Sequence, residues 1–495
     1  MKGIIMSKKL LAFLLAALLT APAFLSCSDS GTNEEAAAET TASAPSADAE
    51  TVVEEETEPS IYDDVPTGKF DGHEFRMLNV VSNYAYVLLT AEELIGETIN
   101  DAVFNRNALV GDNLNVTFSE EIVGWGDIAG AITNMVAADE YTYDIVFDEV
   151  QSSLKYPVNG QVLNLYDLPE LNFEKPWWDA GSVETLSIGD GLYMVNGDIH
   201  LMYGESAWVL FFNQNMLAEY NFESPYTIIK EGRWTFDKMH EMISQVALDV
   251  NGDGILNSDD QFGLATHSDF SLVLLTSAGE SLLTKNAENI PEWKELPEKV
   301  FTLSEKIHQQ FFDLNIAFQQ YLSPIGSIGG IVDHFMQGKS LFLCEVLGHA
   351  KTLRDMEDNF GIIPTPKYDE AQENYNTFIA RSAQTLMVPV TNRELSRTAI
   401  ILENLGAESF KSVRPAYYDV QLSGKTARDA DSLEMLDIIF AGRRYEMAYI
   451  FGANNVGAAY ISATEKGSEL ASAVSKLNKP VTKTLEKTLA GLLGD

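Results

Sequence analysis

Cysteine is almost absent from this chain, with two in 495 residues, at Cys27 and Cys344. Two cysteines build no disulfide framework, so a stable fold has to rest on its apolar core, which 45% hydrophobic residues can supply. Cys344 itself, inside the apolar run Leu341-Phe-Leu-Cys344, reads as a small buried hydrophobe. Basic residues are scarce too, since 33 Lys and Arg stand against 73 Asp and Glu, for a formal charge of −40. A surface so negative repels phosphate backbones, which excludes nucleic acid as a partner. The seven histidines are scattered, and there is no Gly-x-Ser-x-Gly, no His-Glu-x-x-His, no phosphate loop and no cysteine pair at metal spacing. The sequence is therefore not expected to encode an enzyme. Nor does any run approach the ~20 unbroken apolar residues that a membrane-spanning helix needs.

What is present begins with a leader. Lys2, Lys8 and Lys9 precede an apolar stretch from Leu10 to Leu19, the pattern of a secretory signal over residues 1–26. Phe24-Leu-Ser-Cys27 resembles a bacterial lipoprotein cleavage box, which implies that Cys27 becomes the lipid-bearing first residue on the extracellular face of the cytoplasmic membrane. Losing residues 1–26, with three lysines and no acid, would take the formal charge from −40 to −43. Residues 27–66 are mostly Ser, Thr, Ala and Glu, too polar to order themselves, and read as a disordered acidic tether.

The most informative stretch runs from Trp234 to Gly263. Thr235 is a good N-cap, and Phe236, Met239, Met242, Ile243 and Val246 recur at helical spacing, so a helix with one buried stripe begins here. The twelve residues that follow shortly, 249–260, fit a calcium loop. Asp249, Asn251, Asp253, Asn257 and Asp260 offer side-chain oxygens at positions 1, 3, 5, 9 and 12, Ile255 a carbonyl at position 7, and Gly254 the turn at position 6. Asp260 replaces the usual bidentate Glu, which shortens the reach and argues for weak, structural binding of Ca2+. The alternative is a turn built from Asp, Asn and Gly alone.

Elsewhere, strand-like and helix-like segments alternate. Phe75 to Val81, Val116 to Phe118 and Tyr143 to Phe147 read as strands, separated by helical spacing after Ile99 and after Ile128. That alternation predicts a parallel sheet with helices on its faces, and ligands at the carboxyl ends of its strands, near Asn79 to Tyr84 and Asp148 to Ser152. Ala207 to Asn213 reads as a buried strand crossing to a second α/β segment. That segment continues with a helix from Pro297 to Gln320 and a strand from Ser340 to Val346, and further helices fill 394–411 and 432–450. The expected class is α/β, with a buried strand crossing from one lobe to another. The first lobe takes 67–204 and 361–410, the second 205–360 and 411–495.

The chain resembles the lipid-anchored solute-binding proteins of ATP-binding-cassette importers, of the large carbohydrate type. The segments that carry the likeness are IND with FNRN (99–107), YDIVF (143–147), KPWWD (175–179), FFNQNML (211–217), PYTIIKEGRWTFDKM (225–239), LDVNGDGILNSDDQFGL (248–264), FGIIPTPKYDEAQENY (360–375), and PAYYDVQL with RDADSLEMLDIIF (415–440). The resemblance implies a two-lobed, periplasmic-binding-protein-like α/β fold of mixed sheets flanked by helices, with a ligand cleft between the lobes that closes by a hinge on a solute, a permease whose transmembrane subunits receive it, and a monomer. A closing cleft that holds a neutral oligosaccharide needs aromatic faces for the sugar rings and fixed polar groups for the hydroxyls. Trp178, Trp208, Tyr417 and Tyr418 are the aromatic candidates, and Asp148, Glu149, Asp198, Glu205 and Arg381 the polar ones. Two other readings compete: a surface glycoside hydrolase using paired carboxylates, and a dockerin-like scaffold, which would carry two such loops rather than one.

Overall fold

The computed structural model describes residues 60–82, 88–313, 316–320, 328–421 and 430–494. The leader, Cys27, most of the tether and Tyr84 lie outside these residues.

Nine strands make the two main sheets: β1 (His73–Val80), β2 (Val116–Val123), β3 (Ile145–Glu149), β4 (Trp208–Asn213), β5 (Phe262–Thr266), β6 (Ala317–Gln319), β7 (Ser340–Val346), β8 (Phe360–Ile363) and β9 (Gln384–Met387). The first sheet has the order β9-β3-β1-β2, with β1, β2 and β3 parallel and β9 antiparallel to β3. The second has the order β8-β4-β7-β5-β6, with β5, β6 and β7 parallel and β4 antiparallel to both β7 and β8. Strands such as β4, with the sequence WVLFFN, are buried along their whole length, as expected where helices cover both faces.

The helices used below are α1 (Thr98–Leu114), α2 (Ile128–Ala137), α3 (Phe236–Val246), α4 (Phe270–Ser277), α5 (Glu298–Ile307), α6 (Leu395–Glu408), α7 (Arg414–Gln421), α8 (Ala430–Ala441) and α9 (Asn454–Lys466). Helix α3 forms as its sequence predicts. The Thr235 side chain accepts from Lys238 N, and the five apolar residues of its stripe are buried. Helix α1 starts where Glu97 accepts from Asn100 N and stops at Asn115, whose left-handed φ of 54° ends it.

Three differences from the sequence reading concern where elements stop. Residues 360–363 do not return to the first lobe but pair with β4 in the second sheet, so the chain crosses back after Phe378. Helix α7, expected in the second lobe, packs on α1 of the first. The helix expected to run to Gln320 ends in a π-turn at His308–Phe312, and Ala317–Gln319 is a strand. In each case local periodicity was compatible with both outcomes; sheet pairing decided the first and third, and helix packing the second.

The crossings lie side by side. Ala207 bridges Ile379, Thr377–Phe378 pairs with Arg443–Arg444, and Ala380 N donates to Ser206 O at 2.9 Å.

Candidate functional site at the meeting of the two sheets

The crossings bring together strand ends from both sheets. In the first sheet, β3 ends at Glu149, and Val150 N and Gln151 N donate to Ala383 O and Arg381 O on the returning segment, at 2.7 and 3.3 Å. In the second, β5 ends at Thr266 and leads into His267 and Asp269, β7 ends with Glu345 and Val346, and antiparallel β4 begins with Trp208 opposite Val346. Carboxyl ends of parallel strands are where α/β folds leave room for ligands, because the loops there are not committed to the sheet.

Arg381 reaches across this junction. Its guanidinium lies 3.6 Å from Asp269 Oδ2 and 5.1 Å above the Tyr449 ring. Asp269 precedes α4 without capping it, so its carboxylate is free to face the crossing. Trp208 is 3% exposed and packs its ring 5.7 Å from that of His267. Burial depresses the pKa of His267 and pushes His349 down to about 4, so both imidazoles are neutral at pH 7. Burial also raises Glu345 to about 8 and raises Glu149, which accepts from Gln151 Nε2 at 2.7 Å.

Several polar atoms here are buried without a partner among the described residues: Trp208 Nε1, Glu345 Oε2, Ser206 Oγ and Ser271 Oγ. Such orphans are rare in native proteins, since each costs about 1–3 kcal/mol, and they gather where a ligand or ordered water completes them. The space left between Val150, Phe378, Ile379, Arg381 and Tyr449 is about 10 Å³, room for roughly one water, so the junction is shut in this structure. Roomier hollows lie elsewhere and contain none of the candidate residues. One of about 510 Å³ lies between α5 and the end of α9, and one of about 440 Å³ between α1 and β2.

Of the residues chosen from sequence, Trp208, Glu149 and Arg381 meet at the junction; the others do not. Trp178 is buried in the first lobe, where its indole N–H donates to Glu403 Oε1 at 2.9 Å while Trp177 donates to Oε2 at 2.8 Å. Asp148 is consumed locally, accepting from Tyr156 Oη at 2.7 Å and Lys155 Nζ at 3.2 Å. Asp198 is buried against the Tyr203 hydroxyl, with Arg414 Nη1 3.7 Å away. Glu205 is buried beside the Tyr417 hydroxyl, and burial raises its pKa to about 7. Tyr418 accepts from Arg414 Nη2 at 2.9 Å and packs on Phe440. These side chains hold α7 and the crossings in place. His267, Asp269, Glu345 and Tyr449 escaped the sequence reading. The signals for three of them were a polar His-Ser-Asp directly after the apolar strand FGLAT and a lone acid inside LFLCEV.

In the loop 249–260, both Asp249 oxygens are engaged, accepting from Gly252 N and Gly254 N at 2.7 Å, and Asp253 accepts from Ile255 N at 2.8 Å. Asn251 and Asn257 accept from Asp253 N and Asp259 N. Asp260 closes the loop by accepting from Val250 N and Asn257 N, and Gly254 takes φ +81° at the turn. Each side-chain oxygen thus faces the loop's own amides and keeps a lone pair, an arrangement compatible with a hard cation. No group of three or more His, Cys, Asp or Glu poised for a metal occurs among the described residues, so a cation here would depend on Asn and backbone oxygens as well.

No protein-family model matches the chain, and neither does any curated protein. Many solved structures do share its fold. An ABC substrate-binding protein from Listeria monocytogenes in complex with cycloalternan is 12% identical with a TM-score of 0.53, over 84% of this chain and 100% of that one. A cyclo/maltodextrin-binding protein complexed with maltotetraose is 11% identical with a TM-score of 0.56, over 85% and 98%. A sugar transporter from Rhizobium etli in an open conformation is 13% identical with a TM-score of 0.54, over 84% and 99%. At these identities the likeness establishes the fold, which is the two-lobed, periplasmic-binding-protein-like architecture.

Proposed function

We propose that this chain is an extracellular solute-binding protein that captures an oligosaccharide between its two lobes and delivers it to an ABC permease. The observation that carries this reading is that, among the orphaned buried polar atoms spread over the described residues, those on Trp208, Glu345, Ser206 and Ser271 lie on strand ends, a crossing and the start of α4. Unmet hydrogen-bonding capacity where two lobes meet is what the hydroxyls of a solute enclosed by hinge closure would satisfy. Cycloalternan and maltotetraose in two proteins of the same fold agree with a saccharide. In this reading the protein acts as a monomer tethered to the membrane by a lipid on Cys27, and the loop 249–260 binds calcium for structural reasons only.

The test is titration of the protein with a saccharide library, followed by tryptophan fluorescence and melting temperature. A saturable fluorescence change without turnover of the sugar, abolished by Trp208→Ala, is the expected result. Hydrolysis of any saccharide, or no response to any of them, would reject the reading.

A further inference from the structure

Asp269 and Tyr449 form a seat for a cation. A carboxylate and an aromatic face lie on either side of one position, and in the shut junction Arg381 occupies it, 3.6 Å from Asp269 Oδ2 and 5.1 Å from the ring centroid of Tyr449. That occupant is loosely held. The Arg381 side chain is 42% exposed and its distance to Asp269 exceeds that of a hydrogen bond, so a better-fitting cation could displace it.

The surroundings favour positive charge over negative. Glu149 and Glu345 end their strands at the same junction, and Glu345 keeps one carboxyl oxygen buried and unpartnered. The neighbouring imidazoles of His267 and His349 are neutral, and Lys155, which also acts on Glu149, is bonded to Asp148. Arg381 thus faces Asp269 with the Glu149 carboxyl nearby, while burial keeps Glu345 largely protonated and uncharged at pH 7. Over longer range, a chain carrying −40 enriches cationic solutes near its surface and depletes anionic ones.

We infer that the solute carries a primary amine, as a glucosamine oligosaccharide does, and that its ammonium takes the seat between Asp269 and Tyr449 as Arg381 swings out. The inference rests on the solute-binding reading above and narrows it. An ammonium there would gain the Asp269 carboxylate and the Tyr449 ring face together, while the orphaned groups of Trp208, Ser206, Ser271 and Glu345 met sugar hydroxyls.

Calorimetric titration of the full chain with four tetrasaccharides tests this: unacetylated glucosamine, N-acetylglucosamine, maltotetraose and galacturonate. The glucosamine tetramer should bind at least about tenfold more tightly than its acetylated form at low salt. Raising the salt should narrow that ratio, because the added attraction is between charges. Asp269→Asn should bring the two affinities together. Comparing the two ligands on the unaltered protein keeps the test valid even if the variant fails to fold. Equal binding of the free and acetylated tetramers, or preference for maltotetraose or galacturonate, would overturn the amine assignment and leave the solute-binding reading standing. Silence from all four would likewise overturn the amine assignment, while the solute-binding reading stands or falls with the wider saccharide library.

Discussion

Arg381 on the returning crossing faces Asp269 in the second lobe at 3.6 Å, and the pair spans the junction where the two sheets meet. Because the Arg381 side chain is 42% exposed, solvent screens the pair, and its contribution to stability is under about 1 kcal/mol. Arg381→Ala should therefore leave the urea midpoint almost unmoved while changing solute affinity. A large loss of stability would mean that Arg381 is a structural bolt instead.

Arg106 makes the contrast. It is buried in α1 and donates to Ile199 O at 3.0 Å, Leu89 O at 2.6 Å and Ser409 Oγ at 3.1 Å, tying three separate segments of the first lobe together. Arg106→Ala would leave Ile199 O and Ser409 Oγ unmet and a hole behind them, while Leu89 O would keep Asn107 Nδ2 as a donor at 3.0 Å. A loss of roughly 3–5 kcal/mol in urea unfolding is expected, and Arg106→Lys should recover only part of it, because an ammonium cannot reproduce the guanidinium fork.

Glu403 accepts from both Trp177 and Trp178, and all three side chains are buried. Glu403→Leu would strand two indole donors at about 1–3 kcal/mol each. The variant should melt several degrees lower yet bind solute as the wild type does, since the clamp lies inside the first lobe.

The pH dependence of stability follows from buried acids and imidazoles. Burial raises Glu345 to about 8 and Glu205 and Glu446 to about 7, so the folded chain holds protons that an unfolded chain has already released. Stability is then lost as pH rises from about 4.5 toward 8. Burial lowers His200 to about 3 and His349 to about 4, so their effect is opposite, and stability is lost as pH falls below about 6.5. Between pH 6.5 and 8 the acids dominate, opposed only near the top of that interval by Lys285, which burial lowers to about 8. A fall on the order of 2 kcal/mol across that interval is expected by denaturant titration, and Glu345→Gln should reduce it.

Calcium should raise the melting temperature, and Asp249→Ala with Asp253→Ala should abolish the rise. If a chelator leaves the melting temperature of the unaltered protein where it was, the loop is a turn held by its own amide bonds.

Where patterns repeat over a few residues, the sequence was readable. Helix α3, its Thr235 cap and its buried stripe follow from a 3.6-residue period and one hydroxyl, and the parallel strands β1 to β3 follow from alternation with helices. Placement of the site was only partly readable. Trp208, Glu149 and Arg381 were reachable because each lies at a strand end or a crossing. Trp178 was misplaced because a Trp pair in a loop looks exposed until Glu403, more than two hundred residues later, folds over it.

Taken alone, the sequence determined what local chemistry can determine: the α/β class, the absence of disulfides, the excess of acid, the cap-and-stripe helices and an oxygen-lined loop. Only the tertiary structure decided which polar groups face one another. Arg381 and Asp269 are separated by more than a hundred residues, and so are Trp178 and Glu403, so no period or spacing links them. The hydrogen-bonding order of the strands brings them together, and that order is fixed by how two sheets bury their apolar faces at once.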